Sequence, residues 1–250
     1  GTTSVVVAFV SDRQTILTGE ERRLLLEDMG VDVLLECPLN EQIRHMKADQ
    51  FIRQILIGSL QASFVVVGED YRFGYERKGT PDLLKKAGLK YGYETEIVPK
   101  EMDGSRKISS TFIREELKKG NMHKISELLG TDFFVAGEVE HGKGLGHKKF
   151  FPTTNLVPPK QKLMPPNGVY VTVSKFGDTE YQGITNVGYK PTSERISWVL
   201  RPIFLTVMRI CMGRTVSFSS ANSSARSTNL LLLRRSKHRS RGTSRQAMLF

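Results

Sequence analysis

Residues 4–9 read Ser-Val-Val-Val-Ala-Phe, an apolar run with no polar alternation. A strand with one wet face alternates, whereas a continuous run needs cover on both faces, as in a parallel sheet. The next segments keep to that plan. Thr18-Gly19-Glu20-Glu21 spells a capping box, in which the Thr hydroxyl and the Glu carboxylate each satisfy a helix-start amide. The helix it starts runs through Leu24–Met29 and stops at Gly30. Val31–Cys37 predicts a second strand, and Ala48–Ile57 a helix with Phe51, Ile52, Ile55 and Leu56 on one face. Ser63–Val67 predicts a third strand ending at Gly68, Thr80–Ala87 a short helix stopped by Gly88, and Glu94–Val98 a fourth strand. Strands alternating with helices predict an α/β fold with a Rossmann-like parallel sheet and right-handed crossovers. Ser109–Leu129 predicts a helical link. Beyond it, Phe133–Glu140, Gly168–Lys175 and Glu180–Asn186 are short strands between Gly, Pro and Asp-Thr turns, which predicts a small antiparallel β-barrel.

Composition matters at one place. The 250-residue chain has 37 Lys+Arg against 26 Asp+Glu, a net of +11, and a pI near 9.7. Residues 193–250 hold 11 of the basic residues and a single acid, Glu194, so this tail carries +10 and residues 1–192 only +1. A basic Ser-rich arm suits nucleic acid, whose phosphates bind clustered cations by releasing counterions. This tail also carries Trp198, Ile203, Phe204, Met208 and the run Leu230–Leu233, with no aromatic interleaving and no reading motif, which argues against a nucleic-acid partner. Cys37 and Cys211 have no metal-ligand spacing and point to a reducing compartment, hence the cytoplasm. No apolar run is long enough for a membrane, and no leader is expected.

Three segments can carry chemistry. Gly68-Glu-Asp-Tyr-Arg-Phe-Gly74 follows a buried strand, where ligands of open α/β sheets bind. Its residues leave two readings open: a ligand loop with Asp70 and Arg72, or a polar turn in which Tyr71 and Phe73 cover the core. Ile108-Ser-Ser-Thr-Phe-Ile-Arg114 opens a helix, so its hydroxyls, free amides and dipole end suit an anion, with Arg114 one turn in. An ordinary Ser N-cap is the plainer alternative. Residues 137–146 carry GxxxxGK, but Gly144 stands where a P-loop needs Ser or Thr, and Pro152 follows instead of a helix. A Gly-rich loop followed by Thr153, Thr154 and Asn155 can still hold a nucleotide with a hard cation. His45, His123, His141 and His147 lack ligand partners at useful spacing and are assigned no metal.

Together these segments resemble the bacterial bifunctional riboflavin kinase/FAD synthetase (FMN adenylyltransferase) family over about residues 4–192. The motifs are GEDYRFG (68–74), ISSTFIR (108–114), HGKGLG…FPTTNL (141–156), PPNGVYVTV (165–173) and GITNVGYKPT (183–192), in the family's order. The resemblance implies an adenylyltransferase domain over 1–130 and the first part of a riboflavin kinase domain over 131–192. It implies riboflavin, FMN and ATP as substrates, with Mg²⁺ accompanying ATP. By that matching Ser109, Ser110, Thr111 and Arg114 fall on the ATP-phosphate motif, and Gly68, Asp70, Phe73 and Gly74 on a second nucleotide/flavin motif. Gly142, Gly144, Gly146, Thr153 and Asn155 fall on the kinase nucleotide site, Thr153 and Asn155 being its metal-holding pair.

The departures from the family are equally specific. No HxGH-type loop is present, so the first domain is expected to lack the family's first βα unit, a loss of catalytic groups and a hole in the sheet. Phe150 stands where the family has Gly, and Thr154 where it has Ala. After Thr192 nothing resembles VETYIFDFDxDLYG, whose Glu is the expected kinase base. Yet residues 198–213 back-translate into codons that, read two bases along, give GVETYIFDCDEDLYG. Residues 193–250 are therefore expected to be an out-of-frame tail, disordered or misfolded, and turnover by this chain to be impaired. The alternative is a nucleotide- or flavin-binding fragment without catalysis.

Overall fold

The computed structural model describes residues 2–11, 13–140, 155–176, 179–191, 196–204 and 229–234. The chain divides into two compact units, one built from Gly1–Asp12 and Leu26–Ile108, the other from Arg13–Leu25 and Ser109–Gln246.

In the first unit, β1 (Val5–Val10) pairs in parallel with β2 (Val33–Pro38), Val5 opposite Val33 and Phe9 opposite Cys37. The helix α1 (Gly19–Asp28), which belongs to the second unit through Leu25, ends at Gly30, whose φ of +78° lets its amide reach the Glu27 carbonyl and that of Val31 the Leu26 carbonyl. β3 (Phe64–Gly68) pairs in parallel with β4 (Glu94–Val98), so the expected strands are present. They form two separate two-stranded sheets, however, instead of one.

Both pairs reach one core through the segment between them. After α2 (Glu41–His45), α3 (Ala48–Gln50) continues as a π-helix over Phe51–Ser59, past the expected end at Ile57. Phe51, Ile52 and Leu56 are buried there with Val67 and Phe73, and Phe9 and Val65 pack against them. The helix α4 (Pro81–Tyr91) is capped by the Thr80 hydroxyl, as expected, but runs through Gly88 to Gly92. Gly88 is a contact residue and not a stop: a Cβ there would lie 2.4 Å from the Tyr93 carbonyl oxygen. A two-residue hairpin, β5 (Met102–Asp103) with β6 (Arg106–Lys107), closes the unit.

In the second unit the helical link is two helices, α5 (Ser110–Lys119) and α6 (Met122–Leu129), broken at Gly120 with φ +70°. Six strands then close an antiparallel barrel: β7 (Phe134–Glu140), β8 (Asn155–Val157), β9 (Gly168–Phe176), β10 (Thr179–Pro191), β11 (Ile196–Phe204) and β12 (Asn229–Arg234). Their order around the barrel is β10-β11-β8-β7-β12-β9. β11 and β12 lie beyond Thr192, in the basic segment. Val135, Leu156, Val187 and Leu200 are buried, and the Thr172 and Thr185 hydroxyls bond each other at 2.8 Å.

Candidate active site

The Gly68–Gly74 loop leaves the end of β3, and its closing glycine is dictated by space. Gly74 has φ +72°, and a Cβ there would lie 2.6 Å from the Ala48 backbone nitrogen. Phe73 is buried, 5.3 Å from the Phe51 ring and 5.6 Å from Tyr71, so its ring anchors the loop in the core. Burial pushes the Tyr71 hydroxyl up to about 12, keeping it protonated. Thus Tyr71 and Phe73 follow the core-covering reading of this segment, while the acidic residues stay at the surface.

Those carboxylates hold two lysines that the sequence did not single out. Asp70 pairs with Lys100 at 2.6 Å, and Glu69 with Lys107 at 2.6 Å. The hydrogen bond from Lys100 holds the Asp70 carboxyl below its usual range, and the bond from Lys107 does the same for Glu69. Lys107 is correspondingly held above the usual lysine value by Glu69. The result is a zwitterionic cluster at the C-terminal end of the β3–β4 pair, with Arg72 exposed beside it and bonded to the Tyr71 carbonyl. Lys100 comes from the loop after β4 and Lys107 from β6, so no local spacing could have linked them to residues 69 and 70.

The second motif stands at the start of α5. Ser109 is the N-cap, extended at φ −153°, and its hydroxyl accepts the Phe112 amide at 3.3 Å. Phe112, Ile113 and Leu117 are buried and fix that face of the helix inward. Ser110 and Thr111 are exposed, with first-turn amides that have no acceptor inside the helix. Arg114 is half-buried one turn later and makes no ion pair with a described residue. Ser109 thus follows the N-cap reading, with its hydroxyl used by the helix itself. Gly142, Gly144, Gly146, Phe150, Thr153 and Thr154 lie outside the described residues; Asn155 begins β8.

The capping box has an additional role that the sequence did not reveal. The Glu21 carboxylate accepts the Thr18 amide at 2.8 Å, as the pattern predicts, and also the Ala136 amide at 3.0 Å and the Lys162 ammonium at 2.7 Å. Lys162 and Glu21 are fully buried, and Lys162 also donates to the Ile16 and Phe134 carbonyls, both at 2.7 Å.

Comparison with known proteins gives these sites a context. The FAD synthetase family matches residues 3–112, and the riboflavin kinase family matches residues 129–226. The bifunctional riboflavin kinase/FMN adenylyltransferase of Escherichia coli (strain K12) is 35% identical over 197 residues. This chain belongs to the bifunctional riboflavin kinase/FMN adenylyltransferase family. The Bacillus subtilis member is 35% identical over 178 residues, and that of Buchnera aphidicola subsp. Acyrthosiphon pisum 38% over 168. The alignment to the Escherichia coli member covers 78% of this chain and 63% of that relative, so the chain spans less than two thirds of it. For the Bacillus subtilis member the shares are 69% and 54%, and for the Buchnera member 67% and 53%. The kinase match runs past the composition break at Thr192. Among solved structures, a macrolide-efflux protein from Streptococcus pneumoniae superposes with a TM-score of 0.70 at 26% identity, over 92% of this chain and 74% of that one. No helix of the described residues is long and apolar enough to cross a membrane.

Proposed function

We propose that this chain works in the cytoplasm in flavin-nucleotide synthesis, on riboflavin, FMN and Mg·ATP. The module matched by FAD synthetases transfers an adenylyl group from ATP to FMN, releasing pyrophosphate. The barrel module transfers the γ-phosphoryl group of ATP to riboflavin. The observation that carries this reading is the start of α5, where two exposed hydroxyls, first-turn amides and a half-buried arginine one turn on fall within the family's own motif, a pattern suited to an anion.

Both reactions displace at phosphorus, so the protein contributes mainly position and charge neutralisation. Ser110 and Thr111 bind phosphate oxygens, and the Arg114 guanidinium fork fixes their orientation. Asp70 and Glu69 hold Lys100 and Lys107 as ordered cations at the strand ends, while Phe73 and Gly74 set the path of the loop around a nucleotide or flavin. In the barrel module Thr153 and Asn155 would hold the magnesium that arrives with ATP, in the same family motif as Gly142, Gly144 and Gly146. Phe150 stands at a glycine position of that motif, and the glutamate expected as the base toward the riboflavin hydroxyl has no counterpart in this sequence. The kinase step is accordingly slow. Those two departures favour a second reading, a fragment that binds flavin and nucleotide without turnover.

Titration of the full chain with Mg·ATP and FMN separates these outcomes when flavin fluorescence and product are followed together. The expected result is saturable quenching with FAD formed slowly, because the HxGH loop is absent from this sequence. Arg114→Ala should weaken nucleotide binding about 10- to 100-fold, the loss of one charge-assisted bond of about 1.5–3 kcal/mol. Quenching without product supports the binder. Unchanged affinity in Arg114→Ala overturns the assignment of the anion site.

A further inference from the structure

Just beyond the end of β4 stands a lysine that none of the motifs includes. Gly68 and Val98 are register partners at the ends of β3 and β4, and the Glu69 amide donates to the Val98 carbonyl at 2.9 Å. The two chains therefore leave the sheet side by side. Pro99 stiffens the backbone there, and Lys100 follows. This lysine is fixed at both ends. Its backbone amide donates to the Glu69 carboxylate, and its ammonium to the Asp70 carboxylate at 2.6 Å.

An ammonium has three donors, and Asp70 is the one acceptor that Lys100 meets among the described residues. The Lys100 side chain is 26% exposed, against 62% for Lys107, whose pair with Glu69 lies in solvent and holds it only weakly. A pinned, half-buried cation loses less freedom when a ligand arrives than a solvated one does, so Lys100 is the better anion receptor of the two. Charge favours the same class of ligand. The carboxylates of Glu69 and Asp70 alone would repel a phosphate, but Lys100 and Lys107 neutralise them, and Arg72 stands exposed beside them. Ligands of open α/β sheets sit beyond these strand ends.

We infer that the Lys100 ammonium is a phosphate-binding group of the first unit, held by Asp70 and Glu69 to receive the phosphate of FMN. The inference rests on the adenylyltransferase reading of this unit and adds to it the side chain that tells FMN from riboflavin. Riboflavin carries a neutral hydroxyl in place of that phosphate, and a neutral acceptor gains far less from an ammonium than an ionised one.

The test follows hydrogen–deuterium exchange in residues 68–74 of the full chain during titration with FMN, with riboflavin and with Mg·ATP. In the wild type, FMN should slow this exchange saturably. Lys100→Met should need about tenfold more FMN, or above, for the same protection, as expected for one lost charge-assisted bond, and Lys100→Arg should keep most of the affinity. The riboflavin titration should be the same in the wild type and in Lys100→Met, which a merely structural role for the lysine would not allow. Wild-type protection by FMN that Lys100→Met leaves unchanged overturns this inference alone. So does an equal loss with riboflavin, or a loss confined to Mg·ATP. Absence of any protection by FMN in the wild type overturns the adenylyltransferase reading together with it.

Discussion

A lysine ammonium buried without water needs three acceptors, and Lys162 has them in Glu21, Ile16 and Phe134, with the Phe133 ring 4.2 Å away. Removing one member of a buried pair leaves the other charge uncompensated, whereas removing both relieves the desolvation of each. Glu21→Gln or Lys162→Met alone should therefore lower stability by about 3–5 kcal/mol. The double variant should lose clearly less than the sum, and urea unfolding of the four proteins gives the comparison. Burial also pushes the Lys162 ammonium down to about 8 from 10.5. The unfolded chain then binds this proton more tightly than the folded one, so stability from this group rises as pH rises from about 8 to 10.5. The wild type should gain on Lys162→Met across that window, and a flat difference would contradict the assignment.

At the scale of elements, two glycines of α4 separate propensity from packing. An alanine in a helix interior is worth about 1 kcal/mol over glycine, which by itself favours Gly88→Ala. The Tyr93 carbonyl 2.4 Å from the new Cβ reverses that sign, and a loss of about 2–3 kcal/mol is expected from overpacking. Gly92→Ala meets no atom within 4 Å, and its φ of +80° should make it lose only about 1–2 kcal/mol. Thermal unfolding of both variants checks the order. The same helix shows what the sequence makes legible. Thr80 followed by Pro81 marks its start, because capping is local chemistry. Its end was misplaced, because only the fold brings Tyr93 against Gly88. Likewise, Thr18 and Glu21 announce a capping box, but Ala136 and Lys162, more than a hundred residues on, are invisible to it. The apolar runs of β1 and β3 were legible as strands, but not their burial: β1 is half-buried throughout and Phe64 of β3 is 52% exposed. Ser109–Arg114 was legible as a helix start able to bind an anion, while Lys100 and Lys107 joined the other motif only through β4 and β6.

For the whole molecule, the charge split at Thr192 coincides with no break in the barrel, since β11 pairs along β10 from Pro191–Ile196 to Gly183–Phe204. Deleting residues 193–250 removes two of six barrel strands and should unfold the second unit while leaving exchange in β1–β4 unchanged. Retention of native exchange in β9 and β10 would show that those strands do not need the basic segment. The account as a whole stands on flavin chemistry. The most direct measurement mixes the full chain with riboflavin and Mg·ATP, then with FMN and Mg·ATP, and separates the flavins by chromatography. Slow FAD formation from FMN and slow FMN formation from riboflavin are expected, both dependent on ATP and magnesium. Neither product, with no change in flavin fluorescence on mixing, would contradict it.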